Sequence, residues 1–91
     1  MRLDKYLKLS RLVKRRTLAQ QMAEIGAVRV NGRVAKPAAS VSDGDTIEIA
    51  YPRRVLTVKV LTGDETLLKR KAVPFEIVDD KKVVDEDERP W

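Results

Sequence analysis

The chain has 91 residues, no cysteine, no histidine and a formal net charge of +5, which is room for one domain with a thin core. Without Cys or His it lacks the thiolate nucleophile, the commonest general base and the usual metal ligands, so the expectation is a protein that is no enzyme and needs no cofactor or metal. No apolar run approaches the roughly 20 residues of a membrane span, and Met1-Arg2-Leu3-Asp4-Lys5 lacks the apolar stretch of a signal peptide, which points to a cytoplasmic location and no membrane partner.

Leu3 and Leu7 stand at i and i+4, which predicts a short first helix with Lys5 and Lys8 turned outward. Asp4 falls in its first turn, where a carboxylate suits the helix dipole, and Ser10 ends it. A second helix is expected over about Arg15 to Ile25. Leu18, Met22 and Ile25 follow i, i+4, i+7 as its apolar face, Ala19 and Ala23 allow close approach, and Gln20, Gln21 and Glu24 form a wet face. Gly26 suits the left-handed residue that closes a helix.

Beyond Gly26 the period changes to two. Val28-Arg29-Val30 alternates, Asn31-Gly32 supplies the type I′ turn dipeptide, and Arg33-Val34 resumes the strand until Lys36-Pro37. Val41 opens a short segment that the Asp43-Gly44-Asp45 turn ends. Thr46 to Ala50 alternates as a strand, Tyr51-Pro52-Arg53-Arg54 reads as a loop, and Val55 to Val60 as another strand. Glu65 to Lys71 reads as a helical turn stopped by Pro74. Phe75 to Val78 reads as one more strand or a strap over the core, and from Asp79 the chain reads as an acidic, frayed tail. The result is an α+β domain: two N-terminal helices on a small, mostly antiparallel sheet. The division expected is 1–50 as the domain proper, 51–78 as a strand extension packed on it, and 79–91 as the tail.

Charge is distributed unevenly along this order. Residues 1–36 carry ten bases against two acids, residues 37–78 carry six of each, and residues 79–91 carry six acids and three bases. Arg11, Lys14, Arg15 and Arg16 crowd the turn and the start of the second helix. Bases there oppose the macrodipole, so the stacking calls for a partner that offsets the cost, and a phosphate is one. Arg2 joins the same surface, and Arg29 and Arg33 flank the Asn31-Gly32 turn and extend it to the hairpin. Lys5 is balanced between contact and solvation. Arg53, Arg54 and Lys69-Arg70-Lys71 read as solvated loop charges. Asp4, the odd acid, has three open roles: to cap the helix, to hold Arg2 or Arg16, or to accept from an RNA amine or 2′-OH. Two other classes stay open. A helix-turn-helix binding duplex DNA fits the order of helices, although Gln20, Gln21 and Glu24 suit it poorly, and a protein-interaction module would use the sheet and the acidic tail.

The opening Arg2-Leu3-Asp4-Lys5-Tyr6-Leu7, the run Lys14-Arg15-Arg16, the helix from Ala19 to Gly26, Val28-Arg29-Val30-Asn31-Gly32, Lys36-Pro37, and Val41 with Gly44-Asp45-Thr46-Ile47 together resemble the S4 RNA-binding domain over about residues 2–50. The resemblance implies the S4-type (alpha-L) fold, with RNA bound across the helical face by Arg2, Asp4, Arg11 and Arg16. The catalytic domains that accompany S4 domains in some enzymes have no counterpart in this sequence. The length resembles the stand-alone members of the family, the ribosome quality-control and heat-shock protein 15 types. The longer basic extension of the second type is missing, so the first is the better match. That resemblance implies binding to rRNA and tRNA on a large ribosomal subunit that carries a stranded peptidyl-tRNA, as a monomer, alongside an RqcH-type factor that adds C-terminal alanine tails.

Overall fold

The computed structural model describes residues 1–83. Helix α1 spans Leu3–Leu9 and α2 spans Arg16–Glu24. Strands β1 (Val28–Val30), β2 (Arg33–Val34), β3 (Thr46–Tyr51) and β4 (Arg54–Val60) follow, then a short helix α3 (Glu65–Lys69) and β5 (Phe75–Lys82). The strands form one antiparallel sheet in the order β2-β1-β3-β4-β5. The α+β expectation therefore holds. Among the described residues, no helix is long and apolar enough to cross a membrane.

The core lies between the helices and one face of the sheet. Register places Val28 opposite Ile49, and Ile47 and Ile49 opposite Val58 and Leu56. These side chains bury against Leu3, Tyr6 and Leu7 of α1, Ala19 and Ala23 of α2, and Leu68 of α3. Alternation sends the residues between them to the opposite face. The Tyr6 hydroxyl ends within this core and donates to the Pro74 carbonyl at 2.7 Å, so the buried phenol keeps a partner.

The turns follow sequence chemistry. Asn31 and Gly32 both hold positive φ, 52° and 81°, as a type I′ hairpin requires. The Asn31 amide also reaches across to β3, donating to Asp45 and accepting from the Thr46 amide. Gly26, at φ 80°, closes α2 with its amide on the Ala23 carbonyl and that of Ala27 on Met22, the paired bonds of a Schellman motif.

Three expectations change. The apolar face assigned to α2 does not point at the core: Leu18 is 44 % and Ile25 80 % exposed, Met22 is only half-buried, and Ala19 and Ala23 are buried in their stead. The cause is α1, which packs on the alanine side and draws Gln20 inward. The expected loop at Tyr51–Arg54 narrows to Pro52-Arg53, with Tyr51 and Arg54 paired as strand residues and the Arg54 guanidinium 5.0 Å from the Tyr51 ring centroid. Finally, the last strand does not stop at Val78. Asp79 to Lys82 continue it, paired with Thr57 back to Arg54 across a bulge, because an edge strand turns its side chains to solvent and accepts charge. The rest of the expected tail, residues 84–91, lies outside the described residues.

Candidate nucleic-acid interface

The site is organised around one buried acid. Asp4 sits in the first turn of α1 with no exposed surface. A buried carboxylate must have its lone pairs filled, and four groups fill them. Its Oδ1 accepts from the Lys5 amide at 2.7 Å and from Arg2 Nε at 3.2 Å. Its Oδ2 accepts from Gln20 Nε2 at 2.9 Å and Arg2 Nη2 at 3.2 Å, with Arg16 Nε at 3.4 Å. Burial works to raise the Asp4 pKa, but the bonds from Gln20, Arg2, the Lys5 amide and Arg16 outweigh it and hold the carboxyl below its ordinary value. Asp4 is thus ionised at neutral pH, and it serves as the post to which two arginines and the second helix are tied.

Both arginines remain half-exposed, Arg2 at 52 % and Arg16 at 45 % of the side chain. Arg2 uses Nε and Nη2 on Asp4, and a guanidinium has five donors in a fixed fork, so its orientation is set while donors are left for a ligand. The backbone holds this end of α1 as well. Leu3 and Asp4 amides donate to the Ala39 and Pro37 carbonyls, and Arg2 forms an isolated bridge with Ser40. The segment that Lys36-Pro37 opens is therefore a collar around the N-terminus of α1. A cavity of about 400 Å³ beside it is lined by Arg2, Lys5, Arg16, Gly63 and Glu65, among others.

The expected site residues fall into three groups. Arg2, Asp4 and Arg16 come together as described. Lys5 borders the same cavity, but its ammonium is tied to Glu65 at 2.6 Å, joining α1 to α3. The Lys5 ammonium beside Glu65, with Lys69 adding to it, holds the Glu65 carboxyl below its usual range. Lys5 is therefore half-buried and paired rather than turned freely outward. Arg11, Lys14 and Arg15 are exposed on the connection between α1 and α2. That connection is not helical. Arg11 sits at φ 66° and Arg15 is extended at the N-cap of α2, so no helical turn aligns positions 11, 14 and 15.

The hairpin arginines behave differently. Arg29 lies between the core residues Val28 and Val30 and pairs across the sheet with Glu48 and Val34. It therefore occupies the sheet face opposite the helices, and it does not extend the Arg2–Arg16 surface. Arg33 pairs with Val30, so it shares the helix-side face and stands exposed at the hairpin tip. If the surface binds RNA as the sequence resemblance implies, replacing Arg29 with Ala is expected to leave that affinity within about twofold, read by titration against rRNA; a loss comparable to that of an Asp4 or Arg16 variant would contradict the division of faces. Asp4 has no exposed surface, so its carboxylate is turned away from an outside ligand and holds Arg2 and Arg16 instead. Gln20, expected on a wet face, is a member of the cluster that sequence reading missed. Its signal, a polar residue spaced one position after Ala19 and three before Ala23, is too common to single it out.

Comparisons with known proteins agree with the fold. A family model described as S4 domain matches residues 1–47, which contain every residue of the Asp4 cluster. A protein of Listeria monocytogenes named RQC P-site tRNA stabilizing factor is 42 % identical over 86 residues, covering 94 % of this chain and 94 % of the relative. The protein of the same name from Halalkalibacterium halodurans is 47 % identical over 72 residues, covering 79 % of this chain and 82 % of the relative. Among solved structures, the trimeric heat-shock protein 15 of Vibrio cholerae superposes with a TM-score of 0.74 at 29 % identity, covering 85 % of this chain and 80 % of that one. With the motif residues, the helix-on-sheet fold and these matches in accord, the chain belongs to the S4 domain family, alongside relatives named RQC P-site tRNA stabilizing factor.

Proposed function

We propose that this protein is a non-enzymatic, cytoplasmic RNA-binding factor of ribosome-associated quality control. It binds the obstructed large ribosomal subunit through rRNA and the P-site peptidyl-tRNA, as a monomer, and assists an RqcH-type factor in C-terminal tailing of stalled chains. The observation that carries the reading is the buried Asp4 carboxylate with Arg2 and Arg16 fixed on it. A protein that only needed solubility would leave those guanidinium groups free in water. Holding two of them side by side lowers the entropy lost when they meet phosphates. The relatives' name, RQC P-site tRNA stabilizing factor, supports a tRNA as one of the ligands. Sequence-tolerant RNA recognition of this kind works through shape, phosphates and 2′-hydroxyls. Duplex DNA fits less well, because the exposed face of α2 offers Leu18, Gln21, Glu24 and Ile25, with no base after Arg16 to follow a major groove.

The test is sedimentation of the tagged protein from lysate through a sucrose gradient. Co-migration with free large subunits, rather than with intact ribosomes or the top of the gradient, is expected. Wild-type protein that stays at the top would end the ribosomal reading.

A further inference from the structure

Helices α1 and α3 finish side by side. Lys5 is bonded to Glu65 near their starts, and Tyr6 is bonded to Pro74 just beyond α3. Between their C-terminal ends lies a groove of about 330 Å³ whose walls include Lys8, Arg11, Lys69 and Lys71 over Leu68 and Pro74; among the described residues no acid lines it, and Lys69 is paired with Glu65 at 3.4 Å. Lys8 and Lys69 stand in the last turns of their helices, where the negative end of the macrodipole accounts for a cation. Arg11 and Lys71 need another explanation.

Each of them occupies the position after the helix C-cap in the left-handed conformation, Arg11 at φ 66° and Lys71 at φ 63°. The backbone bonding is that of a helix stop in both cases. The Arg11 amide donates to the Lys8 carbonyl, and the Lys71 and Ala72 amides donate to Leu68 and Leu67. The third helix stop among the described residues uses Gly26 for the same conformation, which glycine adopts without strain. A long basic side chain in this slot is a local cost to folding, and here it occurs twice, on the two stops that border one groove. Strained residues that the fold does not require mark functional positions.

We propose that this groove is a second site for RNA backbone, taking phosphodiester oxygens on Arg11, Lys71, Lys8 and Lys69. It rests on the RNA-binding reading above and extends it to residues 65–72, which lie outside the matched residues 1–47. Arg2 and Lys8 are separated by six helical residues, about 9 Å at 1.5 Å per residue, so one RNA strand running along α1 would meet the Arg2–Arg16 pair at one end and the groove at the other. Phosphates rather than carboxylates suit a groove built from four cations, because a backbone presents several anions in series.

The experiment uses the full chain, with deproteinised large-subunit rRNA as the probe, and compares wild type with Lys71→Gly and with Lys69→Gln/Lys71→Gly. Glycine relieves the left-handed strain, so Lys71→Gly is expected to melt no lower than wild type, while Lys69→Gln also removes the exposed Lys69–Glu65 pair and lowers the melting temperature only slightly. The double variant is expected to bind rRNA about 5- to 30-fold more weakly at 0.1 M salt, with the log–log salt slope reduced by about 1 to 2. Unchanged affinity and slope, with Arg16→Ala still weakening binding, would overturn the second site and leave the RNA-binding reading standing. Wild-type protein that fails to bind rRNA would overturn both. A lower melting temperature for Lys71→Gly would make the base structural and overturn the proposal. So would loss of binding to poly-glutamate with rRNA binding intact, since that outcome marks a protein-docking groove.

Discussion

Replacing Asp4 with asparagine is expected to lower both stability and RNA affinity, because one buried carboxylate ties the two together. The asparagine keeps the shape and removes the charge. The bonds from Arg2, Arg16 and Gln20 to Asp4 lose their charge assistance, and so does the one from the Lys5 amide. Hydrogen bonds to a charged group are worth about 1.5–3 kcal/mol. Both arginines are half-exposed and return to water, so their share is discounted for screening. The expected loss is about 1–3 kcal/mol in urea unfolding at pH 7. Affinity for rRNA falls as well, because Arg2 and Arg16 must then be ordered by the ligand at its own expense. The pH dependence follows from the direction of the Asp4 shift. Its folded pKa lies below the ordinary 3.8, so the stability it contributes is fully present above that value and fades as pH falls through the folded pKa. Wild type and the asparagine variant are therefore expected to differ most near neutrality and to converge in strong acid. Equal stability of the two at pH 7 would mean that the cluster does not hold the helices together.

The second large effect is on binding alone. Arg2→Ala/Arg16→Ala removes both guanidinium groups and opens the Asp4 carboxylate to water, which keeps it charged and solvated. Stability is expected to change by no more than about 1 kcal/mol, the range for half-exposed ion pairs. Affinity for rRNA is expected to fall by about 2–5 kcal/mol, at roughly 1–3 kcal/mol for each charge-assisted contact. The two single variants should not add up to the double, because both arginines share one oxygen of Asp4. A wild-type log–log salt slope of about −4 to −6 should become shallower by about 2. Filter binding across a salt series measures both quantities. A double variant that binds like wild type would remove these arginines from the interface, whatever the rest of the surface does.

How far the sequence carried depended on the range of the interactions involved. The Asn31-Gly32 hairpin and the Gly26 stop are short-range chemistry, and both are where the dipeptide and the glycine put them. The alternation of Val28, Ile47 and Ile49 was equally plain, since it follows from strand period alone. The face of α2 was not. Leu18, Met22 and Ile25 form a regular apolar stripe, yet the side turned inward was chosen by a contact between Gln20 and Asp4, sixteen residues apart, and by the small volume of Ala19 and Ala23. Such choices depend on packing that periodicity does not encode. The same limit explains the site. The basic cluster was visible as charge, but its division was not: Arg29 went to the far face by one step of strand alternation, Lys5 was claimed by Glu65 sixty residues on, and Asp4 was turned inward as the anchor. The length of β5 was missed because Asp79 to Lys82 carry charges that argue against a buried strand and are indifferent to an edge.

That edge also bears on how the sheet meets other chains. Among the described residues the five-stranded sheet is open, with two rims, each of the kind on which another chain can add a strand. One rim, β2, is two residues long, too short to nucleate a foreign strand. The other, β5, is eight residues long, but it ends in the doublets Asp79-Asp80 and Lys81-Lys82, and its bulge near Val78 interrupts the ladder. A newcomer aligning there would bring backbone to a kinked margin bearing both signs of charge and desolvate four charges. Among the described residues, both rims thus offer a poor seat to an added strand, a safeguard that under the proposed function would count most beside arrested nascent chains, whose unfolded segments are ready to add on.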